Sequence, residues 1–261
     1  MSNKKFYISI FFLTLFSFCF ADIVEIQKIK ETEKYLKPGA LIIFDIDNTL
    51  MEPAQELGND QWFRYQTDKY IKQGVEKHVA LWRTVYEWTA IQNLTMMKPA
   101  EAETAEYVQE LQNRGYDIIG LTTRSLDMYS RTKEQLKSIN IDLTVTSPGK
   151  DGALFFNEYP NLYYGGILFT ANTHKGVSLK MLLEKINYKP SFVIFINDKH
   201  NHITPVEEYC AKENIPFIGL RYGHLDHRVK DFNPKIAEIQ FEKFGKLISD
   251  QEAAKMLEGS K

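Results

Sequence analysis

Two carboxylates stand one residue apart at the end of an apolar run, where Leu41-Ile42-Ile43-Phe44 leads directly into Asp45-Ile46-Asp47-Asn48-Thr49-Leu50. If the run is a buried parallel strand, both acids emerge at its carboxyl end, the edge at which open α/β sheets bind ligands. Two such charges about 4 Å apart repel by roughly 4 kcal/mol at an effective dielectric of about 20. The pair therefore needs a cation or a shared proton. Aspartate oxygens with no His or Cys in the motif favour a hard divalent ion, Mg2+ over Zn2+. A polar turn after a strand is the plainer reading. Against it, an acid also closes a second hydrophobic run, Phe192-Val193-Ile194-Phe195-Ile196-Asn197-Asp198.

A sheet must hold these strand ends together. Five apolar runs have strand length, at residues 40–46, 117–121, 141–145, 192–196 and 216–220. They are rich in Ile, Val and Phe and alternate little, as strands buried on both faces do. Helical periodicity between them predicts helices over 104–113, 131–138, 179–185 and 204–213. The expected fold class is α/β, a three-layer Rossmann-like parallel sheet. Residues 51–99 are too many for one crossover and carry Trp62, Phe63, Tyr65, Tyr70, Trp82, Val85 and Trp88 at mostly helical spacings. They read as a helical cap inserted after the first core strand, with most of these aromatics forming the core of that lobe. Its turn-forming stretch, Gly58-Asn59-Asp60-Gln61-Trp62-Phe63, is the part suited to face a ligand. Residues 147–172 hold Pro148, Gly149, Gly152, Pro160, Gly165 and Gly166, and read as turns and a hairpin. No Pro/Gly/Ser linker divides residues 22–261, so a single domain is expected.

Phe44-Asp45-Ile46-Asp47-Asn48-Thr49-Leu50 resembles the first motif of the haloacid dehalogenase-like (HAD-like) superfamily, a hydrophobic strand followed by Asp-x-Asp-x-Thr. Three further motifs have candidates in the right order. Asp117-Ile118-Ile119-Gly120-Leu121-Thr122 is a strand ending in Thr, Lys175-Gly176 precedes a helix, and the run ending in Asp198 closes the set. A closer resemblance, including Leu57-Gly58-Asn59-Asp60-Gln61-Trp62-Phe63 and residues 231–240, is to a branch of secreted bacterial proteins of undefined function. The resemblance implies that Asp45 is a nucleophile forming an aspartyl-phosphate and that Asp47 is the acid and base, protonated at the outset. Thr122 would hydrogen-bond a phosphoryl oxygen and Lys175 would neutralise charge on the nucleophile and transferring group. Mg2+ would be held by Asp45, the backbone carbonyl of Asp47 and Asp198. Asn48, Thr123 and Arg124 are candidate substrate contacts, Arg124 being read equally as an ordinary surface ion pair.

The fourth motif departs from the usual pattern. Many relatives carry a further acid soon after the position of Asp198, where this chain has Lys199-His200-Asn201-His202. Either Mg2+ affinity is modest or activity is reduced. His200 and His202 would meet one transition-metal ion only if the segment were extended; His pairs in loops are more commonly solvated. The implied activity is that of a Mg2+-dependent phosphatase acting on a small phosphorylated substrate. The rivals are a fold-retaining binding or host-interaction protein with little turnover, and a phosphotransferase.

Composition narrows the classes further. The 261 residues are 44% apolar, 13% aromatic and 25% charged, an ordinary globular balance. With 32 Lys and Arg against 34 Asp and Glu, the formal charge of −2 offers no excess to track a phosphate backbone, so nucleic acid is not an expected partner. Residues 1–21 form a separate segment. Lys4 and Lys5 precede an apolar run from Tyr7 to Phe20, and Cys19-Phe20-Ala21 places small residues where a signal peptidase reads. The run is shorter than the ~20 residues a spanning helix needs. A cleaved secretory signal is expected, giving a periplasmic or secreted protein with no membrane anchor. Removal takes away two lysines and no acids, leaving 30 basic and 34 acidic residues and a formal charge of −4. Of two cysteines only Cys210 would remain, so no intramolecular disulfide is expected, and it reads as a buried free thiol.

Overall fold

The computed structural model describes residues 22–156, 158–243 and 248–259. The expected signal segment lies outside the described residues. Strand β2 (Ala40–Phe44) sits mid-sheet because it has no polar face: all five residues are buried. Its alternate side chains feed two separate cores. Ile42 and Phe44 pack with Tyr107, Leu111 and Leu136 on one side, while Leu41 and Ile43 pack with Leu179, Leu182 and Val206 on the other. Fully burying each such Ile or Leu stabilises the fold by roughly 1.5–3 kcal/mol. The layers that supply these partners are α3 (Thr104–Asn113) and α4 (Tyr129–Ser138) on the first face, and α5 (Lys175–Lys185) and α6 (His200–Lys212) on the second.

β2 pairs in parallel with β5 (Asp117–Thr122) and β9 (Phe192–Asn197), placing Phe44 opposite both Gly120 and Ile196. Beyond β9 lie β10 (Phe217–Tyr222) and the edge strand β1 (Asp22–Ile26), both parallel. Beyond β5 lies the parallel β8 (Ile167–Phe169), followed by the antiparallel β7 (Pro160–Tyr164) and β6 (Ala153–Phe156). The order is β1-β10-β9-β2-β5-β8-β7-β6. The chain is therefore an α/β protein with a mostly parallel sheet between helical layers.

Four of the five predicted strands form, within two residues of the expected ends. Residues 141–145 do not. Ile141 and Leu143 are buried as a strand's would be, but the Asp142 side chain accepts hydrogen bonds from the Thr144 backbone N–H and hydroxyl, turning the chain. The Asp142 carbonyl is taken by Gln112 on α3. The place beside β5 goes instead to β8, the third strand of the hairpin region. Gly166 at its start lies so close to Leu143 that an added Cβ would come 2.3 Å from the Leu143 carbonyl oxygen.

Between β2 and α3, a two-stranded antiparallel stem pairs Met51 of β3 (Met51–Pro53) with Pro99 of β4 (Met97–Pro99). It carries α1 (Asp60–Lys72) and α2 (Lys77–Gln92). Asn59 caps α1, its side chain accepting from the Trp62 N–H at 2.7 Å. After α7 (Asp226–Lys230), α8 (Pro234–Glu242) buttresses this insertion, followed by α9 (Asp250–Glu258). The Trp62 and Phe241 rings lie 5.5 Å apart, and Leu57 N–H donates to Gln240 Oε1 at 2.8 Å. The two segments that carried the closer family resemblance thus pack against each other.

Candidate active site

The chain leaves β2 in a tight loop. Asp45 N–H donates to the Ile196 carbonyl at 2.9 Å, which ties the first acid to the end of β9. Leu50 and Met51 N–H both donate to the Ile46 carbonyl, so the loop closes around that oxygen. Asn48 takes φ 60°, a left-handed conformation that Asn tolerates better than most residues. Its amide donates to Asp198 Oδ2 at 3.3 Å. That bond gives the Asn48 side chain a further part, orienting the acid at the end of β9.

Lys175 is the first residue of α5 and is 3% exposed. Its ammonium donates to Asp45 Oδ1 at 2.7 Å and to the Leu121 carbonyl at 3.0 Å. Burial makes such a pair costly to break: removing one partner from a buried ion pair typically costs about 3–5 kcal/mol. Thr122 is buried at the end of β5, its hydroxyl accepting from the Arg124 N–H at 3.1 Å.

Arg124 is not an ordinary surface ion pair. It is 4% exposed and holds both oxygens of Asp47, from Nη2 at 2.7 Å and Nε at 2.8 Å. Its remaining Nη1 donates to Thr132 and Gln135 on α4, and the guanidinium carbon lies 5.3 Å from the Trp88 ring centroid. Gln135 in turn donates to the Gln92 carbonyl and side chain at the end of α2. Asp47 is thus fixed by a network reaching into the helical insertion.

Asp198 is only partly satisfied. Its Oδ1 is buried without a hydrogen-bond partner. Burial, with Asp45 and Asp60 adding to it against the opposing Lys199, pushes this carboxyl up to about 7. An orphaned acid oxygen beside Asp45 fits a divalent cation held by hard oxygens. The expected donors are two carboxylates and one carbonyl, and among the described residues no group of three or more His, Cys, Asp or Glu side chains could hold an ion.

Sequence reasoning marked Asp60, within the stretch suited to face a ligand, and Lys199, in the altered fourth motif, but missed that the two meet beside this acid. Asp60, at the start of α1, pairs with Lys199. Burial resists ionisation of Asp60, but Lys199, Arg64 and His202 together hold its carboxyl below the usual range. Burial likewise opposes the Lys199 ammonium, which Asp60 and Asp198 nevertheless raise above the ordinary lysine range. The insertion is therefore tied to the core beside Asp198. The extended His-x-His site does not form: His200 and His202 lie in the first turn of α6, a helix, where residues two apart point to different sides. His200 is exposed, while burial, followed by the charges of Lys175 and Lys199, pushes His202 down to about 3.

A cavity of about 490 Å3 opens between α1, α2 and the strand ends, bordered by Asp47, Thr123, Arg124, Lys199 and the rings of Trp82 and Trp88 on α2. Ala171 and Asn172, at φ 48° and 61°, also border it, and their N–H groups donate to the carbonyls of Arg124 and Thr123. A left-handed alanine is uncommon and leaves no signal in the sequence. Trp62 and Tyr70 belong to the buried lobe as expected, but Trp82 is 44% exposed and turns to the cavity.

Residues 23–254 match the family described as "Protein of unknown function (DUF2608)". The chain belongs to this DUF2608 family. The DUF2608 chain is 28% identical over 241 residues, 90% of each chain, to a Chlamydia muridarum (strain MoPn / Nigg) protein named "Putative outer membrane protein". A Chlamydia trachomatis serovar D protein of the same name is 29% identical over 82% of this chain and 80% of its own. "Uncharacterized protein RP296" of Rickettsia prowazekii is 26% identical over 83% and 82%. Among solved structures, the DUF2608 fold is similar to "putative beta-phosphoglucomutase from Thermotoga maritima", with TM-score 0.42 and 13% identity over 73% of this chain and 98% of that one. A haloacid dehalogenase-like family hydrolase from Streptococcus pneumoniae gives TM-score 0.38 and 13% identity over 69% and 92%. Among the described residues of the DUF2608 chain, no helix is long and apolar enough to cross a membrane.

Proposed function

We propose that this protein is an exported, Mg2+-dependent phosphatase that hydrolyses a phosphomonoester through an aspartyl-phosphate on Asp45. The observation that carries the reading is the buried Lys175–Asp45 pair, 2.7 Å long, at the end of β2. An ammonium there holds one carboxylate oxygen and lowers the cost of bringing a phosphate dianion to the other. Asp45 attacks phosphorus as the bond to the alcohol oxygen breaks, and Asp47 delivers a proton to that leaving oxygen. Asp47 then takes a proton from water as the water oxygen attacks the aspartyl-phosphate, releasing phosphate and restoring Asp45. Because both Asp47 oxygens are held by Arg124, the acid form requires one guanidinium contact to yield. Asp45, Asp198 and the Asp47 carbonyl would hold Mg2+, which supplies positive charge to the phosphoryl oxygens when bound. The helical insertion over the cavity is a cap that excludes bulk water.

Export is supported by the sequence of residues 4–21 and by the names of the chlamydial relatives. One observation favours a second reading, a binding protein of low turnover: Lys199, paired with Asp60, directly follows Asp198, so a cation already stands beside the acid that Mg2+ would need. The same assay separates them. Phosphate release from a panel of phosphomonoesters is expected with Mg2+ and is lost with chelator. Asp45→Asn is expected to lower it by at least about a thousandfold, while circular dichroism stays that of a folded protein. The buried Lys175 loses its charge partner, so a lower Tm is also expected. Turnover retained in that variant would refute the nucleophile, and no turnover in the wild type would favour the binding protein.

A further inference from the structure

The surface of α2 that borders the cavity has a composition the phosphate chemistry does not require. Leu81, Trp82, Val85 and Trp88 recur at the spacing of one helical face and line the cavity, whereas the face carrying Ala80, Thr84 and Ile91 is buried in the protein. Leu81 and Trp82 are 38% and 44% exposed, and Tyr159 across the cleft is 45% exposed. Trp82 and Tyr159 meet edge to face, with ring centroids 6.3 Å apart and planes at 72°, forming an aromatic corner. A contiguous apolar wall of this kind inside a cleft marks a ligand surface.

Its position relative to Asp47 says which part of a ligand it meets. Trp88 lies against the Arg124 guanidinium, and that guanidinium grips Asp47. The wall therefore begins beside the residue that must protonate the leaving oxygen and runs outward to Trp82 and Tyr159. Whatever alcohol leaves the phosphate is laid along it. Charge excludes the other ligand that aromatic walls favour, an organic cation. The two acids bordering the cavity, Asp47 and Asp60, are already paired with Arg124 and Lys199, and Arg64 borders it as well. The volume of about 490 Å3 suits a small molecule.

We infer that the substrate is a phosphomonoester whose alcohol carries an aromatic ring system, seated in the corner of Trp82 and Tyr159. This rests on the phosphatase reading above and deepens it. Adenosine 5′-monophosphate and ribose 5-phosphate share the same phosphorylated sugar and differ by the ring, so their kcat/KM ratio reports ring recognition. The ratio is expected to be about tenfold or more in the wild type, the scale of one stacked ring. Trp82→Ala and Tyr159→Ala, both at half-exposed positions, are expected to bring it toward one. Equal kcat/KM for the two esters, or variants that lower both in step, would overturn the inference while leaving the phosphatase reading intact. If neither ester is turned over, calorimetric titration with the same two compounds decides. Preferential binding of the adenosine ester, lost in Trp82→Ala, upholds ring recognition although the phosphatase reading has failed; equal binding or none overturns it.

Discussion

Asp198 brings the chemistry of single residues into reach of measurement. Its carboxyl is raised from the usual 3.8 to about 7, first by burial and then by Asp45 and Asp60. Between those values the folded protein holds a proton that the unfolded chain has released. The associated stabilisation is complete below about 3.8 and is lost as pH rises through about 7. A divalent ion needs the deprotonated oxygen, so its effect runs the other way. The rise in Tm produced by Mg2+ is expected to be larger at about pH 8 than at about pH 5.5, and to vanish in Asp198→Asn. Equal rises at both pH values would sink the assignment of Asp198 as a ligand. Asp45 and Asp198 were legible as chemistry because each ends an apolar run. Asp60 and Lys199 were marked only within longer stretches, and their pairing was not legible, since an acid opening a helix and a lysine after a strand are ordinary surface features until the fold joins them.

Elements decide whether those residues meet. Lys175 reaches Asp45 only because the first turn of α5 lies flush against α6, and Gly176 makes that approach possible. A Cβ at Gly176 would stand 1.9 Å from the Pro205 carbonyl oxygen, a backbone atom that cannot swing aside. Gly176→Ala is expected to destabilise by about 2–3 kcal/mol in urea titration, as overpacking does, and to depress phosphate release by shifting Lys175. An unchanged urea midpoint would show that the helices part at no cost. The pattern 41–44 identified β2 because both faces are apolar, yet the same logic failed at 141–145. Periodicity registers burial, and Ile141 and Leu143 are buried. It does not register that Asp142 turns the chain and that β8 already occupies the edge of β5.

At the scale of the molecule, the two cores on either side of the sheet must carry stability without a disulfide, because Cys210 is the one cysteine among the described residues and is free. It is fully enclosed in the layer of α5 and α6, and burial pushes its thiol up to about 12. Alkylation of native protein is expected to be slow and to accelerate in step with global unfolding in urea, since the thiolate forms only when the core opens. Rapid labelling under native conditions would show that α6 opens by itself. The insertion joins the same unit through α8, where Gln240 holds the Leu57 N–H and Phe241 packs on Trp62.

The α/β class, the strand ends bearing Asp45, Thr122 and Asp198, and a long insertion after the strand that leads into Asp45 were present in the order of residues, because burial on two faces and the spacing of helices are local properties of a chain; the edge strand β1 ahead of them was not. The clamp of Arg124 on Asp47, the Asp60–Lys199 tie and the aromatic wall of α2 were decided only by the tertiary structure. Each joins residues at least 77 positions apart or depends on which of two apolar helix faces turns inward. Sequence periodicity marks that a face is apolar. Only packing determines whether it meets the core or a ligand.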